Sequence, residues 1–381
     1  MGIPSRVFNS AALLLLGLVC ASNGSEYQRP RDPGFPWQWN LENTGQPVRP
    51  GSSERGTPDA DIDAIEAFAA GHRGEGVIVA LIGQGFAYRN SSLESVLWKN
   101  PGEIPSNGVD DDGNGLVDDV VGYDFYSTDP DPSFSGPHDR AMAEIVVAPH
   151  DERTIAGLAP GARLMILKIG SDQGGIVIGP LQQALDYAAD HGARVIFMPW
   201  SYSGGNCKGN SPPALPQMFE AASQRALVIG GVPGSWPACL PQVVSVQATG
   251  PDDRAKRGPQ PDIDFAAPGA DGRSQVYTSN AIGVVAGAAT LLFGQDPDRS
   301  PGEVRERLAR TADRVHPELG AYVAGRSQLF GAGRINVARA LGTDFDGDGK
   351  PDPDDPDADG DGLPDERDSC PLQRGACPTP D

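Results

Sequence analysis

From residue 59 to 342, short and continuously apolar runs alternate with segments of helical spacing, and this alternation constrains the fold most. The runs are Val77 to Ile82, Arg163 to Ile169, Arg194 to Met198, Ala226 to Ile229 and Val243 to Val246. A strand that is apolar at nearly every position has no face to offer water, so it must be covered on both sides. Between runs the period changes: Ile178, Leu181, Leu185 and Ala188 recur every three or four residues, as on one helix face. Ala281 to Leu292 and Pro301 to Thr311 read as later helices, with Ser300 as a cap and Pro301 in the first turn. The pattern predicts an α/β fold: a parallel sheet with helices on both faces, three layers in all.

The flanks differ from this core. Residues 1–21 read as a signal peptide, with Arg6 ahead of the apolar run Ala11 to Val19 and small residues preceding cleavage after Ala21. A lipoprotein reading would instead place lipid on Cys20. Residues 22–58 are polar and rich in Pro, Gly and Ser, and read as a covering arm. No other run approaches membrane length, so a secreted, periplasmic or cell-surface monomer is expected. Removal of Cys20 leaves Cys207, Cys239, Cys370 and Cys377. An even number in an exported chain suggests disulfides, and three pairings exist. The local one, Cys207 with Cys239 and Cys370 with Cys377, is preferred, and free thiols are the alternative.

Charge removes one class of function. The 51 acidic against 30 basic residues leave a net charge of −21, the wrong sign for reading nucleic-acid phosphates. Much of the excess sits after Gly342, where residues 343–381 carry twelve Asp, ten of them in a repeat of period 13. Asp344, Asp346, Asp348, Asp352 and Asp355 are matched by Asp357, Asp359, Asp361, Asp365 and Asp368. These are positions 1, 3, 5, 9 and 12 of a loop with Gly349 or Gly362 at position 6, the spacing that wraps oxygen ligands around Ca²⁺. The bland alternative is a solvated acidic tail. A second such loop holds Asp110, Asp112, Asn114 and Asp118, with Gly115 at position 6. Its position 12 is Val121, for which Asp119 could substitute.

The tail resembles thrombospondin type 3 repeats, with Cys370-Pro371 closing the second unit. The domain at 59–342 resembles the subtilisin-like serine proteases, the subtilases. The resemblance rests on ordered tags: Trp39-Asn40-Leu41, Asp61-Ile62-Asp63-Ala64, Gly157-Leu158-Ala159-Pro160, Phe265-Ala266-Ala267-Pro268-Gly269 and Gly331-Ala332-Gly333-Arg334-Ile335-Asn336. It implies a peptidase domain with a serine nucleophile, a histidine base, an orienting aspartate and an oxyanion donor.

The family's motifs are only partly present. His138 stands at the base position of His-Gly-Thr-His-Val-Ala-Gly, which here reads His138-Asp139-Arg140-Ala141-Met142-Ala143-Glu144. Ser279 stands at the nucleophile position, in Tyr277-Thr278-Ser279-Asn280-Ala281. Where the family has Asp-Ser/Thr-Gly after the first core strand, this chain has Gly83-Gln84-Gly85. The oxyanion Asn of an Ala-Gly-Asn turn is matched only by Gly230-Gly231-Val232-Pro233, and the substrate-pairing Ser-Leu-Gly by Pro199-Trp200-Ser201. Asp139 is expected to diverge from its neighbour's ring, and Glu144 to lie beyond one helical turn. On these grounds the expectation is a catalytically impaired pseudoprotease that binds protein or surface partners with calcium-stabilised loops. The alternative is a weak or specialised serine endopeptidase using Ser279 and His138.

Overall fold

The computed structural model describes residues 29–206, 215–260, 262–270 and 276–343, and within the tail 348, 350, 355–357, 360 and 362–364. In chain order the strands are β1 (Ile78–Gly83), β2 (Gly122–Asp124), β3 (Arg163–Lys168), β4 (Ala193–Met198), β5 (Tyr202–Asn206), β6 (Leu227–Gly230), β7 (Ser235–Trp236), β8 (Val243–Val244), β9 (Val246–Thr249) and β10 (Phe265–Pro268). The helices are α1 (Ala64–Ala69), α2 (His138–Val147), α3 (Leu181–Asp190), α4 (Leu215–Arg225), α5 (Thr278–Gln295), α6 (Pro301–Arg310) and α7 (Val337–Leu341). The main sheet is parallel and runs β2-β3-β1-β4-β6-β8.

Side chains alternate across each central strand, which is how the apolar runs are spent on two layers. Val79, Leu81, Leu164, Ile166, Val195 and Phe197 join one core with α2 and α5. Ala80, Ile82, Met165, Leu167, Ile196 and Met198 join a second core with α3 and α4. Each fully buried aliphatic side chain contributes about 1.5–3 kcal/mol. Helix α5 is apolar on almost all sides, so it is buried along its length between α2 and the strands. That burial fixes its first turn at the carboxyl ends of the strands, where open α/β sheets gather ligands.

Two boundaries differ from the sequence reading. The helix expected from Ile178 begins at Leu181, because Gly179 and Pro180 precede it and Pro180 occupies the cap. The run Val243 to Val246 divides: β8 stays in the main sheet and β9 leaves it to pair with β10. Helix α6 has the expected cap, a reciprocal box between Ser300 and Glu303. The arm packs on the domain, where Gln38 and Ala156 exchange two hydrogen bonds of 2.8 Å. Cys207, Cys370, Cys377, the signal segment and most of the tail lie outside the described residues.

Away from the sheet's carboxyl end, Arg334 is buried among carboxylates. It meets Asp253 at 2.7 Å and Asp313 at 2.9 Å. Nearby Asp63 has a carboxyl raised well above its ordinary 3.8, first by burial and then by Glu66, Asp61 and Asp313. A carboxyl raised on folding stabilises below its unfolded value, and that contribution is lost as pH rises through the folded one. Asp63 also has φ +54, a left-handed conformation that Asn accepts. Asp63→Asn should therefore raise the melting temperature by about 2 °C at pH 8 and leave it unchanged at pH 4. Equal shifts at both pH values would show that the buried charge is not the cause.

Candidate active site

His138 opens α2, with Pro137 at the cap and no side chain capping the turn. Ser279 lies in the first turn of α5, after Tyr277 in extended conformation. Both side chains thus sit where helix N-termini meet the ends of β1, β4 and β6.

The expectation about Asp139 is overturned. Its carboxylate is 3% exposed and does not diverge from His138. Oδ1 meets His138 Nδ1 at 2.9 Å. Oδ2 accepts the backbone N–H groups of Gln84 at 2.6 Å and Gly85 at 3.1 Å. The reason is that Nδ1 is the ring nitrogen nearer the main chain, so a neighbouring short side chain can reach it at a helix start. With both carboxylate oxygens accepting, the ring proton belongs on Nδ1 and the lone pair on Nε2. The ring itself is about half exposed.

Gly83 explains itself in the same geometry. A Cβ built there would collide with Asp139 Oδ2. The two positions have exchanged residues relative to the family motifs: Asp-x-Gly and His-Gly have become Gly83-x-Gly85 and His138-Asp139. A carboxylate occupies the space beside the imidazole, but it arrives from α2 instead of β1.

Glu144 does not reach the ring. It is buried against Ser92 at 3.1 Å and Arg140 at 3.2 Å. Ser279 Oγ makes no hydrogen bond with His138 among the described residues. It faces a cleft whose other walls include Trp200, Ser201, Val232 and Tyr277. Val232, rather than Pro233, is the residue of the turn after β6 that lines this cleft. Its N–H donates to Ser201 Oγ at 2.7 Å, which ties the two cleft walls together. The edge at 199–201 is also turned inward. Trp200 N–H bonds Met198 O at 2.8 Å, and its indole N–H bonds Ile82 O at 2.7 Å.

The loop after Asn100 is organised around its carboxylates. Asp110 accepts the N–H groups of Gly113, Asn114 and Gly115, at 2.8, 3.1 and 2.8 Å. Carboxylate oxygens of Glu103, Asp110 and Asp112 lie within 4.8 Å of one another, as do donors of Asp112, Asp119 and His191. Glu103 precedes the repeat and escaped the spacing argument. Asp118 is turned elsewhere, accepting from Asn107 and Gly108 at 3.1 and 3.0 Å. Asn114 reaches Asp112 and Asp119.

In the tail, Gly362 N–H donates to Asp357 at 3.0 Å, the same bond from position 6 to position 1 that Gly115 makes to Asp110. Asp348 and Asp355 both face Lys350, at 2.7 and 3.4 Å. Asp344, Asp346, Asp352, Asp359, Asp361, Asp365 and Asp368 lie outside the described residues.

Comparison with known proteins agrees with this architecture. A profile of the peptidase S8 subtilase family matches residues 74–333. Thermitase of Thermoactinomyces vulgaris is 29% identical over 262 residues, 62% of this chain and 87% of thermitase. A thermophilic serine proteinase of Bacillus sp. (strain AK1) is 30% identical over 243 residues, 58% of this chain and 56% of that protein. The serine protease of Aeromonas sobria, solved in complex with a chaperone, superposes with a TM-score of 0.65 at 20% identity, covering 82% of this chain and 66% of that one.

Proposed function

Since the chain belongs to the subtilase family, we propose that it is a slow serine endopeptidase with Ser279 as nucleophile, His138 as base and Asp139 as the orienting carboxylate. The observation that carries this reading is the Asp139 carboxylate, held by two backbone N–H groups and set on His138 Nδ1. It supplies what the bare Gly83 position lacks. Nε2 takes the proton of Ser279 Oγ as that oxygen attacks the scissile carbonyl, then returns it to the leaving amine. Nucleophile and base draw together when substrate closes the cleft, as catalytic hydrogen bonds commonly do. Ser279 N–H, in the first turn of α5, stabilises the oxyanion with the help of the helix dipole. Val232 offers no side-chain donor, and loss of one such donor costs about 10²–10³ in turnover. Low rate therefore follows from Val232, not from Gly83.

The test is labelling by a fluorophosphonate probe. Mature protein should label at Ser279, and His138→Ala should abolish labelling. A protein that never labels would favour the second reading, a binding pseudoprotease. The inward-turned edge at Pro199 and Trp200 supports that second reading, because a peptide cannot pair along it as a strand.

Ca²⁺ fits both acidic loops. Their donors are hard oxygens, and a glycine at position 6 folds each loop back on its first aspartate. Glu103, Asp110 and Asp112 would hold one ion, and Asp357 would anchor a tail site. The ion would supply charge balance and order to the loops. Export to the cell exterior accords with this need. Among the described residues no helix is long and apolar enough to cross a membrane. Millimolar Ca²⁺ should raise the melting temperature by several degrees, about 2.7 kcal/mol at a hundredfold excess over Kd. Asp110→Asn should remove most of the gain, and an unchanged gain would move the site elsewhere.

A further inference from the structure

We propose that Arg257 makes the cleft selective for substrates carrying a carboxylate beside the scissile bond. This rests on the reading of the cleft as the substrate site. The cleft beside Ser279 measures about 240 Å³. Sites that enclose a whole small molecule measure about 300–1,000 Å³, so shape alone grips little here. About half of the wall is apolar surface, with Pro199, Trp200, Val232, Tyr277 and Ile282 among the lining residues. The Ser201 hydroxyl is already engaged by Val232 N–H and by Ser235. Among the described residues Arg257 is the one charged residue lining the cleft.

Its backbone is anchored while its side chain is exposed. Lys256 N–H bonds Ala248 O at 2.8 Å, and Gln247 Nε2 donates to Arg257 O at 3.1 Å. These bonds fix the segment to β9. Among the described residues Arg257 makes no ion pair, although Arg29, Arg89, Arg225, Arg305 and Arg334 each do. Among the described residues Arg49, Arg55, Arg163 and Arg307 also show no ion pair, but of these five guanidinium groups only that of Arg257 belongs to a residue lining the cleft beside Ser279. A guanidinium binds a carboxylate through two parallel N–H bonds, a geometry that discriminates it from an amide of the same shape. The net charge of −21 repels acidic peptides at long range. At physiological salt that repulsion is screened beyond about 8 Å, so the local pair decides.

The experiment uses the full mature chain carrying Ser279→Ala, so that binding is read without hydrolysis. Fluorescein-labelled hexapeptides that differ only by Asp or Asn at one position are scanned by fluorescence polarisation. At one or more positions the Asp peptide should bind about tenfold more tightly than the Asn peptide, as expected for one charge-assisted contact. Arg257→Gln should abolish that preference at an unchanged melting temperature, and Arg257→Lys should keep part of it. Equal binding of every Asp and Asn pair, or a preference that survives Arg257→Gln, overturns the proposal. Acidic preference in a protein whose parent never labels with fluorophosphonate would sink the catalytic reading and leave this one standing.

Discussion

Asp139→Asn lowers the rate of fluorophosphonate labelling and of peptide hydrolysis by about 10⁴, the cost of losing the carboxylate that orients a catalytic histidine. An asparagine keeps the shape but can turn its NH₂ toward Nδ1, which places the ring proton on the wrong nitrogen. Shape loss and charge loss are separated by the melting temperature, which should change little. The sharper version exchanges both residues. Gly83→Asp alone should fail, because its Cβ meets Asp139 Oδ2. Asp139→Gly alone should be as slow as Asp139→Asn. The double variant Gly83→Asp with Asp139→Gly returns the acid to β1 and should recover labelling to within about tenfold of the parent, since the two changes share one space and are not additive. Labelling that ignores Asp139→Asn would show that the contact with Nδ1 is packing only.

Val232→Asn should act in the opposite direction. The side chain at 232 lines the cleft with Ser279, so an amide there can donate to the oxyanion. The expected gain is about 10²-fold in kcat with KM nearly constant, the signature of an interaction made only in the transition state. The backbone bond from residue 232 to Ser201 Oγ is retained in this variant, which keeps the cleft wall in place. An unchanged kcat would mean that another group already serves the oxyanion, or that another step limits turnover.

Much of the fold was legible because it is written in periods. Val77 to Ile82 and Arg163 to Ile169 announce buried parallel strands, and Ser300 with Pro301 announces a helix start, since each depends on residues close in sequence. The site was legible only where a motif kept its place. His138 and Ser279 were found by position. Asp139 was named and then set aside, because divergence of neighbouring side chains is a rule for helix interiors and Asp139 sits in a first turn. Glu103 was missed since it belongs to no repeat, and it joins Asp110 and Asp112 only when the chain doubles back. Val232 was overshadowed by Pro233, because sequence cannot say which residue of a turn faces the cleft.

The swap between Gly83 and Asp139 bears on how such a chain could have arisen. Of the two single-step ancestors, one has glycine at both places and no acid to steady the base. The other crowds two carboxylates into room for one. Neither is a comfortable stopping point, since one leaves the space beside the imidazole empty and the other overfills it. Reading letters at fixed columns finds a glycine where the acid should stand, whereas asking what fills each small volume around the imidazole finds the Asp139 carboxylate.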